Sequence, residues 1–268
     1  MTEILMHRGG ELVTKDQLDL IPLPEPTESY MPVSHYHLAE KFLMISQDIL
    51  RDYTLVGENY GLARQGNQFF AVLKFQRERS EIGLSVAFRN SYDRSMAIGL
   101  AIGASVFVCD NLALSGEIVV MRKHTKNVWT ELEEKAIAII YKSQNNYEQI
   151  IDDAHAFESL EMNNDDAFRT MGLLFGKSIV SPRQLTVLKD EWLKPSHQEF
   201  QPRTLWSFYN AATESLKSSP PVTIMEKHIR LHEALTNLGK EAGNVQAGTL
   251  IAGFLPSGGQ GQEADYQR

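Results

Sequence analysis

The chain has 268 residues, of which 43% are hydrophobic and 22% are charged, so it is long enough to bury a core of its own. Its net charge of −8 argues against a protein covered in nucleic-acid-binding lysines. The single cysteine cannot form an internal disulfide, and the first residues do not resemble a secretory leader. The longest nearly uncharged run, residues 95–109, is too short to span a membrane. We expect a cytoplasmic protein without a membrane segment.

The first half of the chain predicts an arm, a helix and a sheet. Pro22, Pro24 and Pro26 interrupt residues 1–33 and predict an extended N-terminal arm. Ser34 can cap a helix whose apolar residues recur at helical spacing as far as residue 51. Short runs rich in β-branched and aromatic residues then alternate with glycines or charges, which is typical of strands. They predict an antiparallel meander of about five strands at residues 69–75, 82–88, 96–102, 105–109 and 117–121.

The second half predicts helices. Thr130, with Glu133 three residues later, matches a capping box and predicts one long acidic helix from about residue 130 to 161. Further helices are predicted at residues 165–176, 181–192, 204–217 and 222–238, with Gly239 as the exit from the last. The chain is therefore predicted to be α+β, with segregated strands and helices. Its predicted parts are the arm (1–33), an α+β sheet domain with a basic rim (34–126), a helical region packed on or beside the sheet (127–240) and a flexible tail (241–268).

Charge is unevenly distributed along the chain. Residues 64–126 contain nine lysines and arginines against five acidic residues, a local balance of +4. Because the whole chain has a net charge of −8, the residues outside 64–126 together carry −12. Much of this negative charge lies between residues 129 and 166. A basic region is followed by an acidic one, which predicts two surfaces with different partners.

Residues with catalytic or metal-binding chemistry are few. Cys109, His124 and either Asp93 or Asp110 contain the groups of a thiolate nucleophile, a base and an orienting carboxylate. A cysteine at the end of an apolar run is more typical of a small buried hydrophobe, so we predict no catalytic residue. His228 and His232 lie four residues apart on a predicted helix but lack a third ligand, and we interpret them, like His35 and His37, as solvated helix residues. No phosphate-loop or dinucleotide motif is present, so we predict no cofactor and no metal.

A set of basic residues is the best candidate for a binding site. If their side chains share one rim of the sheet, they can follow phosphates through bidentate arginine contacts while aromatic residues stack on bases. A charged, solvated strand edge that prevents aggregation is the alternative interpretation. The predicted nucleic-acid-binding residues are Arg77, Arg79, Arg89, Arg94, Arg122, Lys123, His124 and Lys126.

Four segments resemble one known family, the phage/plasmid-like proteins (domain of unknown function 932). They are Asn90-Ser91-Tyr92-Asp93-Arg94-Ser95, Val106-Phe107-Val108-Cys109-Asp110-Asn111, Arg122-Lys123-His124-Thr125 and the run WSFYNAATE at residues 206–214. Family members usually resemble S-x-D-G-S followed by R-V-V-C-x-N-T-L. Here Arg94 replaces the glycine, and Leu112 and Ala113 replace Thr-Leu. The resemblance covers residues 53–238 and implies a divergent or short member carried on phages or plasmids, without implying an activity.

Three functional classes remain open. The first is a non-enzymatic mobile-element protein that binds nucleic acid, for example by binding or annealing single-stranded DNA. The second is a phage-encoded inhibitor of a host defence system that acts by protein–protein binding, and the third is a cysteine-dependent enzyme. Because an open meander leaves strand edges that can pair, we also expect a homo-oligomer.

Overall fold

The computed structural model describes residues 10–77, 82–106, 111–113, 120–122, 128–145 and 147–244. The strands in these residues are β1 (Glu11–Val13), β2 (Thr54–Ala63), β3 (Gln68–Gln76), β4 (Ile82–Ser91), β5 (Ile98–Val106), β6 (Asn111–Ala113) and β7 (Val120–Arg122). All neighbours pair antiparallel, from β1 to β6 in chain order, and β7 pairs with β5. The predicted antiparallel meander and the α+β class are confirmed.

Eight α-helices lie in the described part of the chain. They are α1 (Lys15–Asp19), α2 (His35–Ile49), α3 (Val128–Asn145), α4 (Tyr147–Ser159), α5 (Asn164–Gly176), α6 (Pro182–Leu193), α7 (Leu205–Leu216) and α8 (Pro221–Asn244), with a 3-10 turn at Gln198–Phe200. The serine predicted to cap the first long helix does so, because the Ser34 hydroxyl accepts a hydrogen bond from the backbone N–H of His37. None of the helices described is long and apolar enough to cross a membrane.

Helices cover both faces of the sheet. Successive strand residues point to opposite faces, so a strand buried on both sides reads as a continuous apolar run. On one face, β-strand residues such as Phe69 and Phe88 pack with Phe42 of α2 and Leu132 of α3. On the opposite face, which we call the α8 face, a second cluster packs the sheet against α8: Phe70, Val72, Ala87, Ala101, Ile224, Met225 and Ile229. A third cluster joins α4 to α8 and makes the core of the helical half.

Two predictions about the strands are wrong. Residues 96–102 and 105–109 were expected to form separate strands, but Ile98–Val106 is one continuous strand. Gly103 does not interrupt it, because it pairs in register with Ser85 of β4. The predicted meander also lacks β2, which extends over ten residues through two glycines, Gly57 and Gly61. Pairing with a neighbouring strand outweighs the low strand propensity of glycine at these positions.

The helices differ from the prediction at three places. α3 begins at Val128, which is buried, so Thr130 lies inside the helix and is not its cap. The acidic segment forms two helices, α3 and α4, rather than one. Gly239 lies within α8 instead of ending it, and a Cβ added there would come within 3.1 Å of Phe157 Cε1. This glycine therefore permits close packing of α8 against α4.

The N-terminal arm is more structured than predicted. It contains the edge strand β1 and the short helix α1, which begins with a capping box formed by Thr14 and Gln17. Leu18 anchors this helix, with no exposed surface. The proline-containing residues 22–26 that follow have no regular hydrogen-bonded structure.

Candidate functional site

Two strand-connecting turns and the end of a third strand lie at one end of the sheet. The β2–β3 turn, residues 64–67, and the β4–β5 turn, residues 92–97, both lie there, because Gln68 pairs with Ser91. Arg122, the last residue of β7, pairs with the first residue of β5 and so reaches the same end. We call this part of the molecule the turn end.

A buried polar cluster lies beneath the turn end. His35 has no exposed surface, its Nε2 lies 3.0 Å from the carbonyl oxygen of Gly66, and Asn90 Nδ2 lies 3.0 Å from its Nδ1. A carbonyl oxygen only accepts and an amide NH₂ only donates, so the proton of the imidazole resides on Nε2. The ring stacks on Tyr92 with a centroid separation of 3.8 Å and an angle of 3° between the planes. The cluster connects the start of α2 to both turns.

Tyr92 completes this connection. Its hydroxyl accepts a hydrogen bond of 2.9 Å from the backbone N–H of His35. Burial raises the pKa of the Tyr92 phenol, although hydrogen bonds from the His35 backbone and the Ser34 side chain act in the opposite direction. The phenol is therefore neutral at physiological pH, and it positions backbone rather than supplying a reactive group.

Asp93 stabilises the β4–β5 turn. Its Oδ1 accepts a hydrogen bond of 2.9 Å from the Ser95 backbone N–H, and Gln68 Nε2 donates to its Oδ2 at 3.3 Å. Burial by itself raises the pKa of Asp93, but hydrogen bonds from Ser95 and Gln68 outweigh this effect. The charge of Arg64, whose Nη1 lies 4.0 Å from Asp93 Oδ2, lowers the pKa further. The carboxylate is thus ionised and engaged within the turn.

Arg94 occupies the position at which members of the resembled family carry glycine. Its φ is +60°, in the left-handed region that favours glycine and is strained for other residues. Its guanidinium carbon lies 4.3 Å from the centroid of the Tyr30 ring, a cation–π contact. The backbone conformation explains the family's glycine, and the ring contact offsets part of the strain that arginine introduces here.

Arg64 and Arg122 add charge to the same end of the sheet. The side chain of Arg64 is 69% exposed, and its backbone also has a positive φ, +52°. Arg122 is placed at the turn end by the register of β7. Lys123, His124 and Lys126 follow it in sequence and lie outside the described residues.

Arg89 does not belong to this surface. It lies on the α8 face and is 1% exposed. Its Nη1 and Nη2 donate to the two carboxylate oxygens of Glu226 at 2.8 and 2.7 Å, and Nη1 also donates to the carbonyl oxygen of Val222. A Cβ on Gly99, which pairs with Arg89, would come within 3.2 Å of Arg89 Nε. Arg89 therefore connects α8 to the sheet and is not available to a phosphate.

Arg77 lies at the opposite end of the sheet. It follows the last residue of β3, Gln76, which pairs with Thr54 at the start of β2. Arg77 Nη1 lies 3.2 Å from Glu148 Oε1 of α4. Arg79 lies outside the described residues. Of the predicted basic residues that the structure describes, Arg94 and Arg122 share the turn end, whereas Arg77 lies at the opposite end of the sheet and Arg89 is buried beneath α8.

The proposed cysteine chemistry falls largely outside the described residues. Cys109, Asp110 and His124 all lie there, so the cysteine-dependent alternative stays open. Asp93 is described, and its oxygens are engaged in the β4–β5 turn.

The helix histidines are buried more than the sequence suggested. His228 is 2% exposed and His35 is fully buried, so the interpretation of these two as solvated residues is wrong. His232 Nδ1 lies 3.2 Å from Tyr209 Oη and its Nε2 lies 3.4 Å from Thr236 Oγ1. Burial lowers the pKa of His232, and Lys240 lowers it too, while the charge of Asp153 opposes them. Within the ranges that the structure describes, no group of three or more His, Cys, Asp or Glu residues could hold a metal ion.

Sequence reasoning missed two contributors to the turn end. Arg64 entered the charge balance but was not selected as a site residue, and Tyr30 was not considered. The signal for Arg64 is its place in an Arg-Gln-Gly-Asn run between two strand-like segments, which is typical of a hairpin turn. No local signal identifies Tyr30, because its contact with Arg94 joins residues 64 positions apart in the chain.

These features define a class: an α+β protein with an antiparallel sheet, helices on both faces and arginines clustered at one end. The model of one protein family, Domain of unknown function (DUF932), matches residues 25–236. The chain therefore belongs to this family, which confirms the resemblance found in the sequence. No curated protein and no solved structure matches the chain.

Proposed function

We propose that this protein is a non-enzymatic, cytoplasmic protein of a phage or plasmid that binds single-stranded nucleic acid through its turn end. One observation carries the proposal: Arg64 and Arg94 lie exposed on two neighbouring hairpin turns, and β7 brings Arg122 to the same end. The buried cluster of His35 and Tyr92 holds these turns in place.

The geometry of Arg94 suits phosphate binding. A guanidinium that lies over an aromatic ring keeps the N–H groups at its edge free to point outward, in the plane in which a phosphate accepts two hydrogen bonds. Tyr30 supplies that ring and is itself 5% exposed, so it supports the arginine rather than stacking on a base. Contacts of this kind with the phosphates of a nucleic acid bind it without distinguishing its base sequence.

The charge distribution explains why binding must be local. With a net charge of −8, the chain as a whole repels a polyanion, so the arginines of the turn end must attract one locally. Three arginine–phosphate contacts with a single strand give a slope of about −2 for the logarithm of the binding constant against the logarithm of salt concentration. We expect weak, strongly salt-dependent binding.

Fluorescence anisotropy tests this proposal. Labelled single-stranded and duplex DNA are titrated with the protein over a salt series, and with the variants Arg64→Ala and Arg94→Ala. Each variant should weaken binding and reduce the magnitude of the salt slope by roughly 0.7. Arg77→Ala is the matched control, since it removes an exposed arginine from the opposite end of the sheet. No binding at low salt, or equal losses in all three variants, would contradict the proposal.

An inhibitor of a host defence system is the second proposal, and the acidic helices favour it. Glu134 of α3 and Asp152 and Glu158 of α4 are exposed, and the side chain of Glu148 is 77% exposed. Exposed carboxylates on these two helices can dock on a basic protein or imitate the charge of a nucleic acid. If the anisotropy experiment shows no DNA binding, charge reversal of Asp152 and Glu158 with Lys should abolish protection of the phage in an infection assay.

Self-association is also part of the proposal. β1 pairs only with residues 60–62 of β2, so within the described residues positions 54–59 have no strand partner on that side. An open edge can pair with a second copy. Sedimentation velocity should show an oligomer that Val56→Lys dissociates, because Val56 is 46% exposed at this edge; a wild-type monomer would exclude this arrangement.

A further inference from the structure

The N-terminal arm contains an exposed proline-rich segment that the proposed function does not use. We call residues 20–26, Leu-Ile-Pro-Leu-Pro-Glu-Pro, the proline arm. Residues 22–26 have no regular hydrogen-bonded structure. Leu20 and Leu23 are 78% and 50% exposed, which is unusual for two leucines so close in sequence.

Covalent geometry determines the shape of the proline arm. Each proline fixes its own φ near −65°. Each residue before a proline is restricted to the β and polyproline II regions. Pro22, Pro24 and Pro26 alternate with residues that precede a proline, so every residue from 21 to 26 is restricted in one of these two ways. The segment is thereby directed into a polyproline II helix, which has three residues per turn.

The burial pattern has that three-residue period. Ile21 and Pro24, three residues apart, are half-buried against the body of the protein. Leu23 and Pro26 form a second row at the same spacing and are exposed, and so is a third row of Pro22 and Glu25. Leu20 caps α1 with helical dihedrals and lies outside these rows. One row attaches the arm, one is apolar and one is acidic.

Both ends of the proline arm are anchored. Before it, Leu18 is fully buried, and Ile21 lies against Gly66, where an added Cβ would come within 3.0 Å of Ile21 Cγ2. After it, the backbones of Thr27 and Tyr30 exchange two hydrogen bonds. The hydroxyl of Tyr30 hydrogen-bonds to the β4–β5 region at the carbonyl oxygens of Ser91 and Tyr92. The arm is ordered before any partner arrives, so binding loses little chain entropy.

We propose that the proline arm is a docking segment for a protein whose groove is lined with aromatic side chains and edged with basic ones. Grooves that read polyproline II segments are lined with aromatic rings, which pack against proline rings and intervening apolar side chains. The row of Leu23 and Pro26 supplies this apolar face. Glu25 supplies charge on the adjoining row and the exposed Glu28 in the following turn adds to it, which is complementary to basic residues at the groove edge.

Site-specific photo-crosslinking in the cell that carries the gene tests the proposal. The full chain is made with benzoylphenylalanine in place of Leu23, and a control chain carries it in place of Met44, which is 61% exposed on α2. We expect the Leu23→benzoylphenylalanine chain to crosslink to one protein at an aromatic-lined groove, and the control not to. Crosslinks only within the chain, to a second copy, or to a surface without aromatic residues would overturn the proposal.

The crosslinked protein is then purified and its affinity for the full chain is measured by calorimetry. Leu23→Ala and Pro26→Ala should each weaken binding at least tenfold, while Met44→Ala should leave it unchanged. Unchanged affinity in both arm variants would also overturn the proposal. Both arm residues are exposed, so the variants should keep the wild-type melting temperature and the wild-type affinity for DNA. A failure of this inference is therefore distinguishable from a failure of the proposed nucleic-acid binding.

Discussion

Arg89 on the α8 face and Arg94 at the turn end belong to the same hairpin and carry the same charge, yet their surroundings differ completely. Arg89 is 1% exposed and its guanidinium is held by Glu226. Arg94 is exposed, and an uncharged ring supports it. Arg89 is thus a buried structural cation, whereas Arg94, only five positions further along the chain, is accessible to a ligand. A count of basic residues does not make this distinction.

The largest effect is expected from Arg89→Ala. Removing one partner of a buried ion pair typically costs about 3–5 kcal/mol, because the other charge is left behind. Glu226 is 35% exposed, so we expect the lower part of this range for the free energy of unfolding, measured by urea denaturation. The double variant Arg89→Met/Glu226→Met should recover part of the loss. A wild-type urea midpoint for Arg89→Ala would show that the pair does not attach α8 to the sheet.

Gly99→Ala tests the packing around the same buried arginine, Arg89. Its new methyl group would lie 3.2 Å from Arg89 Nε, so the Arg89 side chain would have to shift by a few tenths of an ångström while it is held by Glu226. Overpacking of a buried site costs about 1–3 kcal/mol, so the urea midpoint should fall without a change in DNA binding. In the background of Arg89→Ala the same substitution should cost much less. If Gly99→Ala lowers the free energy of unfolding equally in the two backgrounds, the loss does not come from contact with Arg89.

Arg94→Gly separates stability from binding at the turn end. Glycine relieves a left-handed conformation that costs other residues about 1–2 kcal/mol, while the lost cation–π contact removes about 0.5–1 kcal/mol. The variant should therefore be more stable by up to about 1.5 kcal/mol, yet bind single-stranded DNA more weakly. Arg94→Ala is the control, because it loses the contact and keeps the strain. A less stable Arg94→Gly protein would contradict our explanation of the family's glycine.

The smallest effect is expected from Arg77→Ala. Its ion pair with Glu148 is exposed, at 44% and 77% of the two side chains, and such pairs contribute about 0–1 kcal/mol. Thermal unfolding should change little, and what change there is should vanish in high salt. A loss as large as that of Arg89→Ala would remove the contrast between exposed and buried arginines in this protein.

Much of the fold was predictable because local signals agreed with the tertiary structure. Ser34 and Ser181 cap the helices expected after them, and Pro182 stands in the first turn of α6. The prediction failed where a long-range contact overrides a local signal. Gly103 was read as the end of a strand, but pairing with Ser85 carries the strand through it. Gly239 was read as a helix exit, but contact with Phe157 places it inside α8.

The candidate site was predictable only in part. The sequence identified a basic region and selected Arg94, but it grouped Arg94 with Arg77 and Arg89. Their separation depends on strand register, which places Arg77 at the far end of the sheet, and on the packing of α8, which covers Arg89. Neither is encoded in a short window of sequence.

The sequence by itself determined the α+β class and the family, because these follow from periodic patterns and motif order, and its prolines restrict the backbone of the proline arm. The tertiary structure decided which charges are exposed, which histidines are buried and which turns meet at one end of the sheet. Those properties depend on contacts between residues far apart in the chain, such as Tyr30 with Arg94 and Arg89 with Glu226. Such contacts exist only once the strands have paired and the helices have packed.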